Sequence, residues 1–172
     1  MPELIPVLKK DDIDKLVAQI AGIISSDYHG CELILIGILK GAFIFLSDLI
    51  RYITIPVKVD FICASSYGSK NVSSGNIQLT KEIDVDINNK DVLLVEDIID
   101  TGLTLNCCIE HLKSFSPKTL RICAMIDKHE RREAEIRVDY ACYEAEEGFF
   151  VGYGLDYNQN YRGLPGIYRL TL

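Results

Sequence analysis

The chain has 172 residues, a length typical of one domain, and 48% of them are hydrophobic, which is enough to bury a substantial core. Its formal net charge is -7, so it lacks the surplus of lysine and arginine that sequence-independent binding to a nucleic-acid backbone requires. We therefore expect a single domain over residues 1–172, with no nucleic acid as a main partner.

The first half of the chain predicts a helix followed by a strand-turn-helix unit. Apolar residues recur at helical spacing over residues 11–27. Residues 32–38 form a continuous apolar run, which is typical of a strand buried on both faces. A second helix is predicted through Phe43, Leu46 and Leu49.

The second half continues this alternation. Residues 104–115 predict a third helix. Further strands are predicted over residues 57–64, 91–95, 119–126, 138–142 and 149–152. Alternating strands and helices, with no repeat or compositional break, predict an α/β fold with a mainly parallel, doubly wound sheet.

One stretch, residues 65–76, interrupts the alternation because it is polar and rich in glycine, serine and asparagine. Long segments of this kind are uncommon inside compact domains. They serve either as lids over a site or as plain connections between the strands of a hairpin. The residues alone leave both interpretations open.

The cysteines and histidines do not indicate a metal site. None of the six cysteines forms a C-x-x-C pair or lies at zinc-finger spacing from a histidine, and the three histidines are scattered. Several cysteines lie inside apolar runs, where a free thiol behaves as a small buried hydrophobe in a reducing compartment. Residues 1–6 lack the features of a signal peptide, and Lys40 and Asp48 interrupt the apolar stretch 33–50. We expect a cytoplasmic protein without a membrane partner.

The most informative segment begins where the apolar strand 92–95 runs into three acids. Ligands of open α/β sheets bind beyond the carboxyl ends of the strands, where the next helix presents unpaired N–H groups. Asp100, Thr101, Gly102, Leu103 and Thr104 should occupy that place. Their hydroxyls, glycine and free N–H groups predict a cradle for a phosphate monoester.

If phosphate were the entire ligand, the negative charges of Glu96 and Asp97 would repel it. A ribose diol bound together with Mg²⁺ removes the conflict, because carboxylates accept hydrogen bonds from hydroxyls and are hard oxygen ligands. The alternative is that both are solvated loop acids and that Asp100 caps a helix. Their position between an apolar strand and the sequence T-G-x-T favours a role in ligand binding over these structural roles. The glycine-rich signatures of P-loop and dinucleotide-binding proteins are absent from the sequence.

Residues 92–105 closely resemble the phosphoribosyl pyrophosphate signature of the type I phosphoribosyltransferases, in particular the hypoxanthine-guanine branch. Four further segments resemble that branch in the same order along the chain. They are Leu39-Lys40-Gly41, Ser66-Tyr67, residues 127–132 and residues 151–158. The resemblance implies a mainly parallel twisted sheet flanked by helices, with a small hood formed by terminal segments and a flexible lid at residues 66–75.

The resemblance also implies roles for individual residues. Asp100 would be the general acid or base at purine N7, and residues 100–104 would bind the 5'-phosphate. Glu96 and Asp97 would bind the ribose and its magnesium, and Lys40, Gly41 and Arg162 would bind pyrophosphate. Ser66 and Tyr67 would belong to the lid. At the base, Lys128 would donate to the 6-oxo group, Phe149 would stack on the purine, the backbone of Phe150 would contact the base edge, and Asp156 would help to hold a second magnesium.

The implied activity is purine salvage. Hypoxanthine or guanine would react with phosphoribosyl pyrophosphate to give IMP or GMP and pyrophosphate, with Mg²⁺ as cofactor and a homodimer or homotetramer as the assembly. His129 and Phe150 depart from the residues usual in the family, which bears on base selectivity. The alternatives are a phosphoribosyltransferase for xanthine or another base, a non-catalytic nucleotide-sensing regulator on the same fold, and a redox or flavodoxin-like module.

Overall fold

The structure of the protein is a computed structural model, which describes residues 3–66 and 77–171. Nine strands and three helices follow one another in these residues. In chain order they are β1 Glu3–Leu8, α1 Lys10–Asp27, β2 Leu33–Leu39, α2 Phe43–Tyr52, β3 Val57–Ser66, β4 Ile77–Lys81, β5 Asp91–Ile99, α3 Leu103–Lys113, β6 Thr119–Lys128, β7 Tyr140–Ala145, β8 Phe150–Val151 and β9 Ile167–Thr171.

The strands form two sheets. The larger has the order β4-β3-β2-β5-β6-β7, and its neighbours are parallel except for the antiparallel pair of β3 and β4. The smaller is antiparallel, has the order β1-β9-β8 and joins the two ends of the chain. This smaller sheet is the predicted hood. The predicted class, a mainly parallel sheet flanked by helices, is confirmed.

The central strands are apolar on both faces because helices cover both. Leu33 and Leu35 of β2 pack in the core that contains α1 and α2, whereas Ile34 and Ile36 pack with α3 on the opposite face. Alternate residues of a strand point to opposite faces, so a strand buried on both sides must be apolar throughout. This explains the uninterrupted apolar run at residues 32–38.

Several boundaries differ from the prediction. Strand β5 continues to Ile99, so Glu96 and Asp97 lie within the strand and not after it. Strands β1, β4 and β9 were not predicted. The lid prediction for residues 66–75 lies outside the described residues except for Ser66, the last residue of β3. None of the described helices is long and apolar enough to cross a membrane.

Candidate active site

The turn after β2 packs closely against the acidic part of β5 and against the segment after β8. A Cβ atom on Gly41, in the turn after β2, would overlap the carboxylate of Asp97. A Cβ atom on Gly154 would overlap the carbonyl oxygen of Gly41 in the same way. The predicted pyrophosphate turn, the acid of β5 and the segment after β8 are therefore in direct contact.

Residues 100–104 form the predicted junction, with a tight turn at residues 100–102 that leads into the first two residues of α3. Gly102 is the N-cap of α3 and has a φ of 81°, a left-handed conformation that favours glycine. Thr101 Oγ1 accepts a hydrogen bond of 3.3 Å from the N–H of Leu103. The other N–H groups of the first helical turn lack partners within the helix, so the turn presents donors to an anion.

Glu96 and Asp97 are adjacent acids that the fold withdraws from water. Glu96 is 8% exposed and accepts a hydrogen bond from the N–H of Asp97, and Asp97 accepts one from the N–H of Ile98. Burial, together with the nearby charge of Asp97, raises the pKa of Glu96 well above its usual range. Burial also raises the pKa of Asp97. Neither acid forms an ion pair within the described residues, and the more distant charge of Arg162 favours the ionised form of Asp97 only in part, which suits the pair to a cationic ligand.

Asp100 and Lys128 are side by side. The ammonium of Lys128 lies 3.2 Å from Oδ1 of Asp100 and donates a 3.0 Å hydrogen bond to the carbonyl of Gly148. Lys128 is 4% exposed. The guanidinium of Arg131 lies 3.6 Å from the other carboxylate oxygen of Asp100 but is largely exposed. Asp100 therefore faces one buried cation and one exposed cation.

A cavity of about 190 Å³ connects these groups with the predicted base-binding residues. Its lining consists of Asp97, Ile98, Asp100, Lys128, Phe149, Phe150, Leu155 and Asp156. Phe149 is 45% exposed, and its ring meets that of Tyr157 edge to face, with centroids 5.7 Å apart. An exposed aromatic ring in the lining of a cavity offers a stacking surface for a flat ligand.

The two predicted pyrophosphate cations converge on one amide. Lys40 and Arg162 both donate to Oε1 of Gln159, at 3.5 and 3.4 Å. Arg162 also pairs with Asp156 at 2.9 Å and donates to the carbonyl of Gly154. Asp156 therefore has a protein partner, and its role as a metal ligand stays a prediction.

Arg132 is a central residue of the site that the sequence did not single out. Its guanidinium donates to the carbonyls of Ile99, Asp100 and Lys128 and to the carboxylate of Asp127. It thereby joins the end of β5 to the end of β6. An arginine inside a charged run is normally solvated, and only its spacing of five residues from Asp127 could have indicated this pairing.

The remaining predicted positions are less informative. The side chain of Ser66 and all of Tyr67 lie outside the described residues. Across residues 3–66 and 77–171, no group of three or more His, Cys, Asp or Glu side chains is arranged to hold a metal ion.

Comparisons with known proteins identify the family. The family model of the phosphoribosyl transferase domain matches residues 7–158. The hypoxanthine-guanine phosphoribosyltransferase of Aquifex aeolicus is 44% identical over 163 residues, which cover 94% of this chain and 92% of that protein. The hypoxanthine phosphoribosyltransferase of Salmonella typhimurium is 40% identical, with coverages of 96% and 94%. A crystal structure of a Bacillus anthracis hypoxanthine-guanine phosphoribosyltransferase superposes with a TM-score of 0.92 at 38% identity, covering all of both chains.

Proposed function

The chain belongs to the phosphoribosyl transferase domain family, and from this membership we propose that it joins a 6-oxopurine to phosphoribosyl pyrophosphate. The products are the purine nucleotide, IMP or GMP, and pyrophosphate. The names of the relatives support this choice of base. We further propose that the enzyme acts in the cytoplasm as a homo-oligomer.

The observation that carries the proposal is the pair of Asp100 and Lys128 at the cavity. A 6-oxopurine places an acceptor oxygen beside N7, which carries a proton in one tautomer. Lys128 can donate to the oxygen while Asp100 accepts from N7. Adenine has an amino group in place of the oxygen, so its donor would face the ammonium. The pair therefore supports a preference for 6-oxopurines.

The sugar phosphate fits the turn and the acids beside it. The 5'-phosphate accepts hydrogen bonds from the hydroxyls and N–H groups of residues 101–104. Glu96 and Asp97 accept hydrogen bonds from the ribose hydroxyls. Their carboxylates, which form no ion pair within the described residues, also fit Mg²⁺ held mainly by the substrate. Bound there, Mg²⁺ would neutralise negative charge on the leaving pyrophosphate.

The leaving group fits the two cations that meet at Gln159. Lys40 and Arg162 share the oxygen of Gln159 in the free protein. A pyrophosphate oxygen, which is charged, is a stronger acceptor than this amide and would replace it. The close approach of Gly41 to Asp97 keeps the pyrophosphate turn beside the ribose site.

The chemical step is a displacement at C1 of the ribose. N9 of the purine forms the new bond to C1, the bond from C1 to pyrophosphate oxygen breaks, and its electron pair leaves with pyrophosphate. The N7 proton passes to Asp100. Positive charge that develops on the sugar lies near Glu96 and Asp97, so electrostatic stabilisation supplies much of the catalysis.

A panel of bases tests the proposal. Hypoxanthine, guanine, xanthine and adenine are each incubated with phosphoribosyl pyrophosphate, with and without Mg²⁺, and the nucleotides are quantified by chromatography. We expect Mg²⁺-dependent nucleotide formation from hypoxanthine or guanine and little from adenine. Turnover of xanthine alone would transfer the proposal to another base. Absence of turnover with every base would favour the non-catalytic regulator.

A further inference from the structure

Lys128 and Asp100 neutralise each other before any base is bound. The ammonium of Lys128 and Oδ1 of Asp100 are 3.2 Å apart. That oxygen is fully buried and has no hydrogen bond of good geometry. The buried charge of Lys128 is its close partner, whereas the exposed Arg131 faces the other oxygen. The buried oxygen of Asp100 thus lies against the lysine that would recognise the base.

The two residues would be required separately during the reaction. Lys128 would donate to the 6-oxo group, and Asp100 would accept the proton of N7. The ammonium of Lys128 competes with the N7 proton for Oδ1 of Asp100. We therefore expect the pair to separate, at least in part, when a productive base enters.

Separation of the pair has a cost that depends on the base. Lys128 is 4% exposed, and without Asp100 its remaining partners in the described residues are the carbonyl of Gly148 at 3.0 Å and the half-exposed carboxylate of Glu130 at 3.9 Å. A buried ammonium that loses its closest anionic partner is destabilised. A 6-oxo group offers a replacement acceptor at the same place. Neither a hydrogen atom nor an amino group on C6 does so.

We propose that Lys128 holds Asp100 inactive as a proton acceptor until a 6-oxo group replaces Asp100 as the partner of Lys128. This inference rests on the proposed function and extends it. Lys128 then determines specificity in the rate of the chemical step as well as in affinity, because a base without a 6-oxo group leaves the general base occupied.

Unsubstituted purine is the appropriate probe, because it keeps N7 and N9 but carries only hydrogen on C6. Single-turnover rates are measured with saturating hypoxanthine and with saturating purine for the natural protein, for Lys128→Met and for Arg131→Met. The Arg131 variant is the matched control, since it removes the exposed cation near Asp100 and leaves the buried one. Thermal unfolding verifies that each variant is folded, and Lys128→Gln replaces Lys128→Met if that protein is not.

For the natural protein we expect hypoxanthine to react about 10²-fold faster than purine, because an available general base usually raises the rate by about this factor. In Lys128→Met the absolute rate with purine should rise about 10-fold or more, because Asp100 is released without a 6-oxo group. Arg131→Met should change the ratio of the two rates by less than about fivefold, since its ion pair is exposed. Adding Asp100→Asn to Lys128→Met should abolish the gain.

A purine rate in Lys128→Met at or below that of the natural protein would overturn the inference and leave Lys128 as a recognition residue only. The same holds if the gain persists without Asp100. Failure of the natural protein to convert hypoxanthine at all would instead overturn the proposed function, so the two failures are distinguishable.

Discussion

Two neighbourhoods of the central sheet contain buried acids and treat their charge in opposite ways. Asp60 of β3 is 8% exposed, and its carboxylate accepts hydrogen bonds from the backbone N–H groups of Phe61, Asp84 and Val85 at 2.6 to 2.9 Å. The ammonium of Lys81 lies 3.6 Å away. Burial alone would raise the pKa of Asp60, but these donors and this cation together lower it.

Glu96 and Asp97 of β5 are the contrasting pair. Each accepts a backbone hydrogen bond from the residue that follows it, and burial raises both pKa values. The fold therefore surrounds the carboxylate of Asp60 with several donors of its own, whereas each acid of β5 accepts one backbone hydrogen bond and forms no ion pair within the described residues. A buried acid with many protein partners stabilises the fold, whereas an acid with few partners and a raised pKa is a candidate for ligand binding.

The largest effect is predicted for a change of Asp100, an acid at the candidate site. Asp100→Asn should lower the rate of the chemical step about 10² to 10⁴-fold, because the amide cannot accept the N7 proton. The fold and the 5'-phosphate turn should be unaffected. Single-turnover kinetics with hypoxanthine measure the rate, and titration with IMP provides the control for nucleotide binding. A near-normal chemical rate would remove Asp100 from the mechanism.

A smaller effect is expected for a change of Arg132. Like Asp60, Arg132 has several hydrogen-bond partners within the protein, but its partners join the turn at Asp100 to Lys128 in the candidate site. Arg132→Gln should lower kcat about 10- to 10²-fold, because small displacements of the reacting groups are costly. The KM values for both substrates should rise together. Arg132→Lys, which keeps the charge but loses the multiple donors, should recover only part of the activity. Lower thermal stability with unchanged kinetics would make Arg132 purely structural.

The smallest effect on activity is predicted for Asp60, whose role is structural. Asp60→Asn should lower the free energy of unfolding by about 2 kcal/mol, since hydrogen bonds to a charged acceptor are lost, and should leave kcat within about twofold. The pKa of Asp60 is lowered in the folded state, so its stabilisation is complete above about pH 5 and fades as the pH falls through the folded pKa. Denaturant unfolding of both proteins between pH 7 and pH 3 should therefore show converging curves. A difference that is independent of pH would contradict the assignment.

The parts of the fold that could be predicted are those whose sequence pattern has one physical cause. Residues 32–38 are apolar throughout because helices cover both faces of β2. The turn at residues 100–104 was predictable because its glycine and hydroxyls are required locally. The hood strands β1 and β9 were not, because they are short and only partly buried, so that neither shows a clear period.

Long-range pairing accounts for most of what was missed at the site. The acids at residues 96 and 97 interrupt the apolar run of β5, although the strand continues in register with β6 as far as Ile99. The role of Asp60 depends on backbone groups more than twenty residues away. The contacts of Arg132 reach back to β5 in the same way. The sequence pointed to side chains that line the candidate site but not to the residues that hold them in place.

The most direct measurement of the central claim is ligand-induced stabilisation of a matched pair of variants, Asp60→Asn and Asp97→Asn. Thermal midpoints are recorded with and without phosphoribosyl pyrophosphate and Mg²⁺, because a ligand that binds the folded state raises the midpoint. Without ligand, we expect Asp97→Asn to match or exceed the natural protein and Asp60→Asn to fall below it. With ligand, Asp60→Asn should gain as much as the natural protein, and Asp97→Asn should lose most of the gain. An equal gain in Asp97→Asn would contradict the account, because the acids of β5 would then not be the groups that the ligand satisfies.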